Sequence, residues 1–296
     1  MAAGLAELEL WLRDQVESGL AAAHGAGPGA WEDMAARLVD AQAGRAAERV
    51  RALGRIGTAP DWPGRLLEEL ALLRLLAVGH RRGDALPPHL RAAVRARVGL
   101  PSAADTAAPV RDTWRVLGRC DFPADQVRGR RVWLRGAATG RVAMLTAFAP
   151  HGRTPDSPAE VGTEIDADLA FHPAEWRAAV VRRDAERPCG PPPGGTVADA
   201  LASWSPAVAA DPWLDAWPVV VRDAVVGRAD GWWLADPSGA ALPLHADAAP
   251  PWRWAAASGG APATVAAEWT PHGLRPLTVW PDGADPVHLA PDSPPP

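Results

Sequence analysis

At 296 residues the chain is long enough for two domains, each with a core of its own. It contains no Lys, which excludes a Walker-type phosphate loop, a Schiff base and a kinase-type ATP lysine. Its two cysteines are too few for a disulfide framework or a cysteine-built zinc site. The net charge of −5 divides unevenly, with 13 Arg against 12 acids in residues 1–100 and 17 against 23 in the rest, so neither half is a polycation.

The first helical pattern is Leu5, Leu8, Trp11, Leu12, Val16 and Leu20, ended by the breakers that begin at Gly25. Trp31, Met34, Leu38 and Val39, then Val50 and Leu53, continue it in a second helix that Gly44 could break in two. The organising stretch is Trp62 to Arg82, whose leucines at 66, 67, 70, 72, 73, 75 and 76 cover more than one face. Such a helix belongs at the centre of a bundle, with Asp61 as N-cap, Pro63 in the first turn and Gly83 as stop. Pro87 and Pro88 open a last helix carrying Leu90, Val94 and Val98.

Periodicity lapses across 101–109 and resumes at about 2. The expected fold class is therefore α+β: a helical bundle over 1–100, a Trp-rich and mainly antiparallel β domain over 110–290 with at least one helix, and a disordered tail at 291–296. Two hairpins, RRVWLRGAATGRVAMLTAF and GWWLADPSGAALPLH from Gly231, share a Trp-Leu, glycine turn and second apolar run, which suggests a duplicated sheet unit. Further strands are expected at 113–119, 163–171, 217–222, 252–257, 264–269 and 274–280. Thr196 with Asp199 forms a capping box ahead of a helix whose apolar face is Val197, Leu201, Trp204 and Val208. The proline- and glycine-rich stretch near 187–195 reads as an exposed linker. All but Trp11, Trp31 and Trp62 of the 15 tryptophans lie in the second half and must supply most of its aromatic core. Trp232, Trp233, Trp252 and Trp254 could alternatively form a stacking platform, and of the adjacent Trp232 and Trp233 one should be less buried.

Among chemistry-bearing groups, Glu164, Asp166, Asp168 and His172 share one face of a strand, a pattern that suits a hard cation and would make the chain a metal-dependent hydrolase. Alternation alone explains the same acids as a solvated strand face. Arg81, Arg82, Arg91, Arg95 and Arg97 crowd the third and fourth helices, the candidate surface for a nucleic-acid accessory module; Arg128, Arg130, Arg131 and Arg135 form a second cluster. No HExxH arrangement occurs, Ser258 lacks the first glycine of a nucleophile elbow, and Gly25, Gly27 and Gly29 follow a helix where a dinucleotide fingerprint needs a strand.

The segments GLAELELWLRDQVESGL, LLEELALLRLLAVGHRRGDALPPHLRAAVRARVGLP, RRVWLRGAATGR and SGGAPATVAAEWTPHGLRPLTVW resemble the region that follows the zinc finger in bacterial SWIM-zinc-finger proteins. The abundance of Ala, Arg, Gly and Pro, with no Tyr or Asn, fits the GC-rich genomes that carry them. The resemblance implies a protein partner, a MoxR-type AAA ATPase or a von Willebrand factor A-type protein, encoded nearby. The family's zinc motif, Cys-Xaa-Cys then Cys-Xaa-His, does not occur around Cys120 or Cys189, so no cofactor is expected in this chain, and zinc only where a finger is attached upstream. The expected function is a non-catalytic interaction or scaffold protein. An acidic N-terminal segment and the lack of an apolar span predict a cytoplasmic protein without a membrane.

Overall fold

The computed structural model describes residues 1–25, 27–57, 61–100, 108–124, 127–150 and 152–290. The chain divides into two compact units, Met1–Asp105 and Thr106–Pro296. The expected disordered tail at 291–296 lies outside the described residues.

The first unit packs α1 (Ala2–Glu17), α2 (Leu20–Gly25), α3 (Pro28–Asp40), α4 (Gly44–Leu53), α5 (Trp62–Arg81) and α6 (Pro88–Val98) around Leu5, Leu8, Leu12, Met34, Leu38, Val50, Leu66, Leu70, Leu73, Leu76 and Val98. The expected second helix is two helices: the chain turns at Ala41–Ala43, where Gln42 has φ 61°, and Gly44 opens α4. Asp61 stands at the N-terminus of α5, but its carboxylate accepts from Arg65 Nε at 2.6 Å and caps nothing. The leucines of α5 cover more than one face, and not all of them meet the core. Leu66, Leu70, Leu73 and Leu76 face the core at i, i+4, i+7 and i+10, while Leu67 and Leu75 on the opposite face are 47% and 45% exposed.

The second unit contains two sheets. The first is β1 (Val110–Ala124), β2 (Val127–Gly136), β3 (Val142–Pro150), β4 (Thr163–Phe171) and β5 (Ala178–Pro188), in the order β3-β2-β1-β4-β5 with every neighbour antiparallel. A parallel bridge from Met144 to Arg177, at the start of β5, brings β3 onto β5 and closes the sheet. The second contains β6 (Trp217–Arg228), β7 (Trp232–Ala235), β8 (Ala241–Pro243), β9 (Ala263–Thr270), β10 (Gly273–Trp280) and β11 (Val287–His288), in the order β11-β10-β9-β6-β7-β8. Its closure is the same, a parallel bridge from Leu244, just after β8, to Leu274 in β10. In each sheet a meander of three strands is followed by two more that pair on the other side of the first strand. The fifth then closes in parallel on the third. This is the connectivity of the five-stranded Greek-key barrel of the OB type, and the chain carries it twice.

Side-chain equivalences follow the duplication. Trp133 sits opposite Gly118 in the first barrel and Trp233 opposite Gly227 in the second, each one residue ahead of a fully buried leucine, Leu134 or Leu234. Trp114, Val116, Val132, Leu134, Leu145, Ile165 and Leu169 fill the first barrel. Val219, Val221, Leu234, Leu242, Val265, Leu274 and Val279 lie in the larger core, which also takes in Leu117 and Trp133 from the outer face of the first barrel. Leu117 is the extra residue of a bulge in β1. At Gly118 a Cβ would lie 2.5 Å from that of Leu277, so the two barrels approach too closely there for any side chain.

Two elements flank these strands. Thr196 and Asp199 make the expected capping box on α7 (Val197–Ala210), with Thr196 Oγ1 accepting from the Asp199 N–H at 3.2 Å and Asp199 accepting from the Thr196 N–H at 2.8 Å. The buried residues are Val197, Ala200 and Ala207, so the apolar face is rotated from the expected one and Leu201 is exposed. Residues expected as a strand at 252–257 form a helix instead, α8 (Trp252–Ser258), entered through Pro250 and Pro251. β5 and β11 are strands that periodicity did not predict, and β5 takes residues 187 and 188 from the expected linker.

Candidate functional site

A concavity of about 300 Å³ lies in the second unit where the two barrels meet. One wall is the outer face of β1 and β2. Antiparallel register sets residues there in cross-strand rows, Cys120 with Arg131 and Thr146, then Phe122 with Gly129 and Phe148. Gly129 is required, because its Cβ would fall within the Phe122 ring. The other wall is the second barrel: Asp247 to Pro251, Arg253 and Trp254 from α8, and Arg275 to Leu277 from β10.

The floor is a closed polar cluster. Glu268, on β9 and fully buried, accepts from Trp133 Nε1 at 2.7 Å, Arg131 Nη2 at 2.8 Å and the Cys120 thiol at 3.2 Å. Arg131 Nε in turn donates to Cys120 Sγ at 3.0 Å. Burial, with the Glu268 charge beside it, pushes the Cys120 thiol up to about 12. Burial opposes the charge of Arg131, but Glu268 outweighs it and holds the guanidinium protonated. Every strong group of the floor is thus spent on another, and the thiol is no nucleophile at neutral pH.

The lip is different. Among the described residues no carboxylate lies within ion-pair distance of Arg253 or Arg275, and Arg275 Nη2 meets only His245 Nε2, at 3.0 Å. Trp254 is fully buried and lines the cavity, and its indole N–H has no acceptor. One lining ring, Phe122, belongs to an aromatic pair, and a second pair lies on α8 and β7. Phe122 meets Phe148, 56% exposed, edge to face at 6.1 Å. Trp252, 60% exposed and placed between the lining residues Pro251 and Arg253, meets Trp232 edge to face at 4.9 Å, with the Arg228 guanidinium 5.4 Å from the Trp232 ring.

The sequence candidates fall elsewhere. Glu164, Asp166 and Asp168 do share the polar face of β4, over buried Ile165, Ala167 and Leu169. They are taken up by arginines: Glu164 by Arg115 and Arg187, Asp166 by Arg187 at 2.6 Å and the Thr113 hydroxyl, Asp168 by Arg111 at 3.7 Å. Hydrogen bonds from Arg187 foremost hold Asp166 below the usual carboxylate range. His172 lies beyond the end of β4, its N–H donating to the Arg177 carbonyl. Among the described residues no group of three His, Cys, Asp or Glu could hold a metal ion. The donor set of a SWIM finger is likewise not met by Cys120, bound into the floor cluster, or by Cys189, whose thiol burial pushes up.

The helical arginines do not form one open cationic face. Arg81 pairs with Glu9 at 3.3 Å, and Arg91 donates to the carbonyls of Gly83, Asp84 and Leu86, tying down the turn between α5 and α6. Arg82 and Arg95 are exposed, and Arg97 is half-buried. In the second arginine cluster, Arg130 makes a buried bidentate pair with Asp121 and Arg135 reaches the Pro193 carbonyl. Of the four tryptophans expected as a platform, Trp232 and Trp233 are both half-buried, Trp254 is buried and Trp252 is exposed, an arrangement set by the helix that replaces the expected strand. Ser258 bonds the Trp254 carbonyl within α8.

Among the described residues no helix is long and apolar enough to cross a membrane. No curated protein and no solved structure matches the chain. Residues 1–98 match the family model of the SWIM-associated four-helix bundle domain, so the helical unit is similar to the domain that accompanies the SWIM zinc finger.

Proposed function

We propose that the protein is a non-catalytic, cytoplasmic interaction protein that works with a protein partner, a MoxR-type AAA ATPase or a von Willebrand factor A-type protein. The observation that carries this reading is the second apolar face of α5. Leu67 and Leu75 stand two turns apart on one side of the helix, nearly half exposed, while the core is already filled by Leu66, Leu70, Leu73 and Leu76. The reading takes these two solvent-facing leucines as part of the docking face. The absence of catalysis in the reading rests on the cavity floor, where Glu268, Arg131 and the Cys120 thiol satisfy one another.

The test is a calorimetric titration of the purified chain with the MoxR-type ATPase of the same genome. Saturable binding is expected, and the double variant Leu67→Arg, Leu75→Arg should abolish it while keeping the wild-type circular dichroism and melting point. Binding unchanged in that variant would remove α5 as the docking face, and absence of binding by the wild type would remove this partner.

A further inference from the structure

The cavity at the barrel junction is walled by both barrels, and it goes beyond the interaction reading by using a different surface. Its lining is largely apolar, with Phe122, Pro250, Pro251, Trp254, Leu277 and Leu289. The charged groups around it balance: Arg131, Arg253 and Arg275 stand against Asp121, Asp247 and Glu268. At the floor Asp121 holds Arg130 and Glu268 holds Arg131, while Arg275 lies in register beside Glu268 on the neighbouring strand. One buried donor of this wall is left over among the described residues. The Trp254 side chain is fully buried and its indole N–H has no acceptor, so it carries the whole desolvation cost of an unmade hydrogen bond.

From this we infer that the cavity binds a small, uncharged, mainly apolar molecule with a carbonyl-type acceptor, which takes the Trp254 indole N–H. Volume sets the size. At about 300 Å³ the space stands at the lower end of small-molecule sites, with room for about two fused rings. Apolar walls with a single placed polar group are the make-up of such sites. Charge sets the class. An anion drawn to Arg253 or Arg275 would also meet Asp247 at the lip and Glu268 beneath, and a cation would meet the arginines, so either would leave water without a net counter-charge. A neutral ring loses little hydration on entry and gives the indole the bond it lacks.

Two substitutions separate the donor from the space. Trp254→Phe removes the N–H and keeps an aromatic ring; what it tests is a ratio of two ligands, which a merely weakened fold would not change. Ala249 lines the cavity and is exposed, so Ala249→Phe sets a ring at the lip and should close the space without repacking the core.

The experiment is a saturation-transfer NMR titration of the full chain with three probes: coumarin, naphthalene, which has the same two-ring outline and no acceptor, and the coumarin-3-carboxylate anion. Coumarin should bind saturably and about fivefold more tightly than naphthalene, the worth of one hydrogen bond to a buried donor. The anion should bind at least about tenfold more weakly than coumarin. In Trp254→Phe, with its fold checked by circular dichroism, the preference for coumarin over naphthalene should vanish, and Ala249→Phe should lose both. No binding of coumarin, equal affinity for the two neutral probes in the wild type, a preference retained in Trp254→Phe, tighter binding of the anion, or indifference to Ala249→Phe would each overturn the proposal. None of these outcomes bears on the α5 face, whose partner assay stands apart.

Discussion

The two barrels share a strand order and a closure, yet they place equivalent residues in opposite circumstances. Trp133 of the first barrel is 2% exposed and donates its indole N–H to Glu268 on β9 of the second barrel. Its counterpart Trp233 is half-buried and meets no such carboxylate. The fourth and fifth strands diverge the other way: β5 is exposed over nearly its whole length, while β9 and β10 are almost wholly buried. The barrels therefore pack front to back, the β1–β2 face of one against the β9–β10 side of the other. A heterologous contact of this kind uses a different surface on each copy and leaves one of each unused. The duplication supplied two equal units, and the packing made them unequal.

The contact depends most on Glu268. Its removal leaves Arg131, Trp133 and Cys120 buried without their shared acceptor, and breaking a buried ion pair from one side costs about 3 to 5 kcal/mol. Glu268→Ala should lower the unfolding free energy of the second unit by an amount of that order, read as a fall in its denaturant midpoint. Glu268→Gln keeps one acceptor oxygen and should cost less. A midpoint equal to wild type in both variants would show that the barrels are not held through this cluster.

Next in size is Asp112, which belongs to the first barrel alone. From β1 it accepts from the N–H groups of Thr113, Ala138 and Thr139 and from the Thr139 hydroxyl, at 2.6 to 3.0 Å, and so anchors the β2–β3 turn. Burial pushes its carboxyl up, but the Thr139 hydroxyl and the three N–H donors outweigh that and hold it below the usual value. A folded-state pKa below the unfolded value near ~3.9 gives stability that is present above that value and lost as pH falls through the folded pKa. Asp112→Ala should cost about 2 to 4 kcal/mol near neutral pH, and the loss should shrink in acid. In the second barrel the turn carries its own acid, Asp236, bonded to the Ser238 N–H and hydroxyl within the turn and to the Val197 N–H at the start of α7. A melt in which Asp112→Ala loses equal stability at neutral pH and below the carboxylate range would contradict the assigned role.

How much of this was legible in the sequence follows from where the information lies. The strand at 163–171 was readable to its ends because Ile165, Ala167 and Leu169 alternate with Glu164, Asp166 and Asp168. β5 was not, since a strand exposed along nearly its whole length has no buried face to impose alternation on AAVVRRDAERP. Trp252 and Trp254 suggested a strand through their propensity, while Pro250, Pro251 and the alanine run at 255–257 carried the overlooked signal of a short helix. The two matching hairpins did announce the duplication. The floor of the cavity left no local trace, because Arg131 and Glu268 are 137 residues apart and meet only through the packing of two barrels.

The smallest expected effect concerns the ionic face of β4 and β5, which the second barrel replaces with buried apolar strands. Arg187 reaches Glu164 at 2.9 Å and Asp166 at 2.6 Å, and Arg111 bridges Asp168 and Asp184. The count of pairs suggests a strong device, but the arginine side chains are 47% exposed and water screens them. Their value lies in specificity, since charges along an exposed edge discourage pairing with another chain. Arg187→Ala should therefore lower the melting point slightly at low salt and not measurably at high salt, where the Debye length is short. The same variant should aggregate more readily on prolonged incubation. A loss of stability as large at high salt as at low would mean that this face is held by packing after all, and that the two barrels differ less than their surfaces suggest.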